Sequence, residues 1–305
     1  MSTTTTRPEA RELRITKPLA TGRNGELRPS ALIFLLLLWF SLFVAFAVLV
    51  TLLITIFITG QNKLSWNLVT NFPSADPEEA GARPAILGSV WAIGTTAVLT
   101  LPLGIAAAVH LEEFADRKRW FNRFVELNVQ NLAAVPSIVY GLLALAFLSM
   151  LGVTNKNIVI GGALALTLLI LPVIIIATRE ALRAVPSEIR DGSLALGATQ
   201  WQTTWRQVLP ASVPGIATGS ILALSRALGE AAPLLVLGAL VYITFDPNGL
   251  LSGYTTLPIQ IFNWTGRPQE GFHELAGATS LLLLAVLILM NALAIFIRNK
   301  FQKRW

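Results

Sequence analysis

Cysteine is absent from the 305 residues, which excludes disulfide bonds and thiolate metal sites. Histidine is nearly absent: His110 and His273 stand far apart, and no His-Glu-x-x-His zinc pattern occurs. Charge is scarce as well, because Asp, Glu, Lys and Arg make up 13% of the chain, about half the share usual in soluble domains. No Gly-Lys dipeptide occurs, so the chain lacks a phosphate-cradling loop of the GxxxxGK[ST] type and is not an ATPase in its own right.

Apolar residues, at 54%, fill the space left by these absences. Several apolar runs exceed the roughly 18 to 20 residues that cross a bilayer as helix. The pattern predicts an all-α integral membrane protein with six transmembrane helices, at about Ala31–Thr59, Ala85–His110, Ala133–Leu151, Ile158–Ala177, Val213–Ile243 and Ala276–Ile297. Residues 1–30 are polar and punctuated by Pro and Gly, and read as a disordered tail. The first apolar run is too long for a signal-peptide core and reads as an uncleaved span, 31–59. The remaining helices form a membrane domain over 85–297, followed by a tail over 298–305.

A formal charge of +6 suggests nucleic acid until its distribution is considered. With the N-terminal tail inside the cell, the tail holds six Lys and Arg. The loop after the second span holds Arg117, Lys118, Arg119 and Arg123, and the loop after the fourth holds Arg179, Arg183, Arg190 and Arg206. The C-terminal tail adds Arg298, Lys300, Lys303 and Arg304. The outer loops hold only Lys63, Arg83, Lys156 and Arg267. An 18-to-4 split follows the positive-inside rule and places both termini in the cytoplasm, with no role in nucleic-acid binding.

Smaller features refine the bundle. Arg123–Asn131, "RFVELNVQN", has apolar residues at helical spacing and predicts an interfacial helix leading into the third span. Pro102, Pro136, Pro172, Pro214 and Pro233 each remove a backbone donor from a span, which favours a packed bundle around a cavity. Gly215 and Gly219 have GxxxG spacing, which permits close helix contact. Glu112, Glu113 and Asp116 abut the basic run Arg117–Arg119 and read as a solvated inner loop. Trp66, Trp264 and Phe272 read as interfacial anchors on the outer side, within loops at 61–84 and 246–275.

The longest inner connection is too polar to span and too regular for a random loop. Pro186-Ser187 ends one helix and can cap the next, and Gly197 breaks the pattern. Thr199 and Gln202 have capping-box spacing, so a short helix starts at Thr199 and runs through Gln207. Trp201 and Trp205 share a face of that helix, and Leu194 and Leu196 project apolar bulk ahead of the glycine. Such a helix–glycine–helix can dock a partner protein. Its tryptophans can equally anchor in the headgroup region.

This loop, 179–210, resembles the EAA-type signature of bacterial ABC importer permeases. Asp191, Gly192 and Ser193 stand at the three EAA positions, Gly197 is the glycine, and Leu209-Pro210 close the motif, with Gln207 where isoleucine is usual. The resemblance implies a coupling helix that docks in a groove of the ATP-hydrolysing subunit, through Asp191, Gly192, Ser193, Leu194, Gly197, Ala198, Thr199 and Trp201. "LPLGIAAAVHLEEFA" (Leu101–Ala115), "AAVPSIVYGLLAL" (Ala133–Leu145) and "SRALGEAAPLL" (Ser225–Leu235) are similar to permeases of the phosphate-specific importer, the A-type subunit of its pair above all.

The last stretch places Arg226 and Glu230 inside a span, where each charge costs roughly 2.5 to 3.5 kcal/mol on insertion scales. Four residues apart, they can form a structural ion pair. They can also mark a substrate path, as intramembrane charges commonly do. Arg226 would offer an oxyanion a charge-assisted contact, with Glu230 holding the guanidinium and moderating its charge. Ser225 is a candidate lining residue, as are Thr95, Thr96 and Ser137, although bonding back to their own helix explains such hydroxyls equally well.

What the resemblance implies is a permease subunit with a type I ABC importer bundle in the bacterial inner membrane, without cofactor or metal. Its implied partners are a second permease, a dimeric ATP-binding subunit and an extracytoplasmic phosphate-binding protein, with inorganic phosphate as cargo. A permease for sulfate or molybdate, a stand-alone carrier or channel, and a membrane scaffold remain as alternatives at this stage.

Overall fold

The computed structural model of the chain describes residues 29–116, 118–239 and 242–301, with side chains described from residue 32 to residue 300. Residues 1–28 of the expected disordered tail, and 302–305 of the C-terminal tail, lie outside the described residues. The described chain is helical, and its one isolated bridge joins Ile158 to Gly253. It divides into two units, Met1–Leu53 and Ile54–Trp305.

Helix α1, Pro29–Gly60, begins in the first unit and ends in the second. Its 32 residues make it about 48 Å long at the α-helical rise, more than the roughly 30 Å of a hydrocarbon core. Up to Leu53 it is apolar on every side, as a membrane helix is. After a 3₁₀ turn, Gln61–Lys63, come α2, Trp66–Thr70, and the long α3, Arg83–Val109, which opens on Pro84 and contains Pro102. A π-helical turn, His110–Phe114, follows it. Helices α4, Trp120–Leu132, and α5, Ser137–Met150, meet at a bend of 112°. Helix α6 is Val159–Arg183, and α7 is Ser187–Ala195. Helix α8, Gln200–Thr203, passes through a second π-helical turn, Thr204–Val208, into α9, Leu209–Leu228. Two short helices, α10, Ala232–Val236, and α11, Leu257–Thr265, precede α12, Glu270–Phe301.

Among the described residues, five stretches are long and apolar enough to cross a membrane, and the total reaches the expected six if the bent α4–α5 pair counts as one span. Two expected spans change character. The third, expected over Ala133–Leu151, is only the 14 residues of α5, about 21 Å. Pro136 precedes it and forces the chain to turn. The amphipathic segment before it forms α4, as its periodicity indicated. The fifth, expected as one helix over Val213–Ile243, stops at Leu228, because Gly229 ends α9 and Pro233 opens α10.

Helices α3, α6 and α9 form the core of the second unit. In lipid, apolar side chains gain little by leaving hydrocarbon, so helix association depends on close packing. The GxxxG pair supplies it: a Cβ on Gly215 would lie 2.8 Å from the Cβ of Ala181, and one on Gly219 would lie 2.7 Å from that of Ala177. Gly104 seats Ile174 in the same way between α3 and α6. Polar rungs join α3 to α6 too: the Thr96 hydroxyl reaches the Ala163 carbonyl at 3.4 Å, and Thr100 Oγ1 lies 3.3 Å from Thr167 Oγ1.

Residues 250–257, leading into α11, close one end of this core. The backbone N–H groups of Val159 and Ile160, orphaned at the start of α6, donate to the carbonyls of Ser252 (3.0 Å) and Leu250 (2.9 Å). The Ser89 hydroxyl accepts from the Leu257 N–H at 2.9 Å. Trp264 and Phe272, expected as surface anchors, are fully buried with ring centroids 6.4 Å apart, because the expected loop folds into α11 and packs on α12. Trp66 remains exposed, as expected.

Candidate functional site

At the end where α3 and α6 terminate, α7 and α8 form a helical hairpin on the bundle. Gly197 makes the turn with φ of 84°, a left-handed conformation that costs an L-residue roughly 1 to 2 kcal/mol. Thr199 then caps α8. Its hydroxyl accepts from the Gln202 N–H at 3.2 Å, and the Thr199 N–H donates to the Gln202 side chain at 2.9 Å, the expected capping box. The helix does not end at Gln207 but continues through the π turn into α9, so the hairpin is rigidly joined to a core helix. Ser193 and Thr203 hydroxyls, 2.9 Å apart, tie its two arms together.

The hairpin presents apolar bulk to its surroundings. Leu196 is 91% exposed and Trp201 60% exposed, with Leu194 and Trp205 beside them. The Trp201 ring lies 5.3 Å from Trp205 and 5.8 Å from Phe114. Asp191, Gly192 and Ala195 face outward on α7, and Ala198 is half-buried after the turn. A groove of about 460 Å³ runs between the arms, lined by Ile189, Gly192, Ser193, Leu196, Ala198 and Gln202.

Beneath the hairpin lies a charged network that the sequence concealed. Glu112 and Glu113, expected in a solvated loop, have side chains only 4% and 8% exposed. The π turn after α3 swings them inward. Arg179 donates through Nε to Glu112 (3.0 Å) and through Nη2 to Glu126 of α4 (2.7 Å). Arg183 donates to the other oxygen of Glu112 at 2.8 Å. On α7, Arg190 donates to Glu113 at 2.8 Å and to the carbonyls of Val185 (2.7 Å) and Leu182 (2.8 Å) at the end of α6. The Gln200 amide also donates to the Glu113 carbonyl. Three arginines and three glutamates thus lock α3, α4, α6 and α7 together. Removing one partner of such a buried pair costs about 3 to 5 kcal/mol. One signal was available: Arg179 and Arg183 are four residues apart at the end of an apolar span, and the Glu-Glu pair ends the adjacent span that runs the same way.

The other sequence-predicted residues lie elsewhere. Arg226 sits in the last turn of α9, where the helix dipole favours a cation by roughly 0.3 to 1 kcal/mol. Glu230 lies beyond the helix end, so the two do not share a helical face as expected. They still approach, with Arg226 Nε 3.9 Å from Glu230 Oε1. Ala223 and Ala227 point into the core, whereas the Arg226 side chain is 55% exposed on the outward side of α9 with Leu222. Ser225 is buried, and its hydroxyl donates to the Ile221 carbonyl at 2.8 Å, the helix back-bond rather than a free lining group. The structure therefore joins Ser193, Gly197, Thr199 and Trp201 in one hairpin and Arg226 with Glu230 in a separate place. Among the described residues no group of three or more metal-ligating side chains occurs.

Residues 100–305 match the family described as "Binding-protein-dependent transport system inner membrane component". The chain is 35% identical over 225 residues to the "Probable ABC transporter permease protein YqgI" of Bacillus subtilis (strain 168), covering 73% of this chain and 74% of that one. It is 36% identical over 226 residues to the "Phosphate transport system permease protein PstA 1" of Mycobacterium tuberculosis (strain ATCC 25618 / H37Rv), covering 73% and 71%. Among solved structures, the fold matches a chain of the bacterial alginate ABC transporter in complex with its pentasaccharide-bound periplasmic protein, with a TM-score of 0.59 at 15% identity over 90% of this chain and 94% of that one. It also matches a chain of the MetNI methionine ABC transporter in an inward-facing conformation, with a TM-score of 0.54 at 19% identity over 71% and 92%.

Proposed function

The chain belongs to the family of binding-protein-dependent transport system inner membrane components, and from that premise we propose that it is a permease subunit of an ATP-driven importer of inorganic phosphate. Relatives named as phosphate transport system permeases, at up to 36% identity over most of their length, carry the choice of cargo. The fold supports the class of machine, a six-span type I importer permease. The chain would work with a second permease, a dimeric ATP-hydrolysing subunit and an extracytoplasmic phosphate-binding protein.

In this reading the basic end of the bundle faces the cytoplasm, and both termini lie there. The hairpin around Gly197 is the element the ATPase grips, through exposed Leu194, Leu196 and Trp201. Closure of the ATPase pair pushes the hairpin. Arg190 carries the movement to Glu113 and so to α3, and the continuous α8–α9 connection carries it to α9. The side of α9 that bears Arg226 faces the second permease. An anion travelling between the two subunits would meet the guanidinium there and exchange its hydration for two charge-assisted bonds. Glu230, 3.9 Å away, weakens that grip enough for release.

The break after Leu228 fits such a path, because irregular backbone at membrane depth is tolerated where it is buried in protein or lines a cavity. The reading is tested by competition. Radiolabelled phosphate uptake by the reconstituted importer, with its binding protein, is measured against excess unlabelled phosphate, sulfate or molybdate. Suppression by phosphate alone supports this cargo, and suppression by sulfate or molybdate reassigns it.

A further inference from the structure

We propose that α4 is a docking surface for anionic phospholipid headgroups. The inference needs the membrane placement of the chain and not its cargo, so the two readings fail separately. Helix α4 has two unlike faces. Val129 is buried, Val125 packs against the bundle, and Glu126 is held by Arg179. Away from the bundle the helix presents Trp120, which is 77% exposed, together with Phe121, Phe124 and Leu127. Their rings make a continuous patch, with Trp120 6.0 Å from Phe121 and 6.4 Å from Phe124. The 112° bend into α5 lays this helix across the spans instead of along them.

Basic residues flank the aromatic patch. Lys118, Arg119 and Arg123 are all exposed. Arg119 lies 3.9 Å from Asp116, and among the described residues Lys118 and Arg123 form no ion pair. A helix lying in the interface with aromatic rings toward the acyl boundary and cations at its edge fits a negatively charged headgroup surface. The charge decides the occupant: zwitterionic lipid gives these three exposed cations nothing to prefer, whereas phosphatidylglycerol offers each of them a phosphate without a compensating amine. The Glu126–Arg179 pair fixes the opposite edge of α4 to α6, so lipid bound on the outer face holds the helix against the same network that holds Arg190.

The test uses the assembled importer in detergent, with phosphatidylglycerol or phosphatidylcholine added at equal concentration and retained lipid read by native mass spectrometry. The parent complex should retain phosphatidylglycerol in preference. The triple variant Lys118→Gln, Arg119→Gln, Arg123→Gln should lose that preference, by about fivefold for each charge removed. A control that neutralises Arg298 and Lys300 should keep it. A photoreactive side chain at position 124 should cross-link to lipid. The proposal is overturned if the parent shows no preference, if the triple variant keeps it, if the control loses it equally, or if position 124 cross-links to another protein chain.

Discussion

Arg190, in the first turn of α7, reaches Glu113 in the π turn after α3 with a 2.8 Å hydrogen bond, and it also holds the carbonyls of Leu182, in the last turn of α6, and Val185, just beyond it. A single side chain therefore joins the exposed hairpin to two core helices. If this joint carries motion, Arg190→Ala should leave the subunits assembled and ATP hydrolysis measurable while phosphate uptake falls by about tenfold, equivalent to roughly 1.4 kcal/mol. Arg190→Lys should recover only part of it, because an ammonium cannot serve all three acceptors with the guanidinium's fixed fork. Equal loss of hydrolysis and uptake would indicate simple misassembly instead.

Gly197 separates docking from folding. Nothing lies within 4 Å of where its Cβ would be, so a side chain there meets no part of this chain. Gly197→Ala should cost only the backbone strain, about 1 to 2 kcal/mol, read as a lowered melting temperature. Gly197→Trp should in addition prevent co-purification of the ATP-hydrolysing subunit. Retention of that subunit by the Trp variant would count against the hairpin as the docking element.

Arg226 is exposed and lightly paired, so Arg226→Gln should cost no more than the helix-dipole contribution of about 1 kcal/mol in thermal stability. Phosphate uptake should nevertheless fall by about tenfold or more, as expected for loss of a charged contact in the path. Arg226→Lys should be intermediate. Glu230→Gln should alter uptake less than Arg226→Gln, since the 3.9 Å pair holds the guanidinium only weakly. Normal uptake by Arg226→Gln would make the pair a structural one.

Gly219→Leu tests the packing of α9 on α6. The added side chain meets Ala177, whose Cβ lies 2.7 Å from the position of the new Cβ, and overpacking of this kind costs about 1 to 3 kcal/mol. Gly219→Ala should be milder, and Ala177→Gly in the same chain should restore the melting temperature. Failure of that second substitution to rescue would mean that the loss arises elsewhere.

The legible parts of this molecule were those set by local pattern. The capping box at Thr199 and Gln202, the turn at Gly197, the close approach at Gly215 and Gly219, and the amphipathic α4 each follow from residues a few positions apart. Hydropathy likewise located the five long apolar crossings. It could not show that α9 stops at Leu228, because the residues after the break are as apolar as those before it, and only Gly229 and Pro233 mark it. The same blindness made Trp264 and Phe272 look like surface anchors, since a buried helix and an interfacial loop have similar composition. The charged network was hidden for a different reason. Arg190 and Glu113 are 77 positions apart, and their pairing depends on the π turn that rotates Glu112 and Glu113 inward.

One measurement bears most directly on the whole account: phosphate entry into proteoliposomes made from the complete importer and from this chain alone, each with and without ATP. The account predicts uptake by the complete importer only when ATP and the binding protein are supplied, and none by the isolated chain. Uptake by the isolated chain at a comparable rate, or uptake by the importer that ignores ATP, would contradict it.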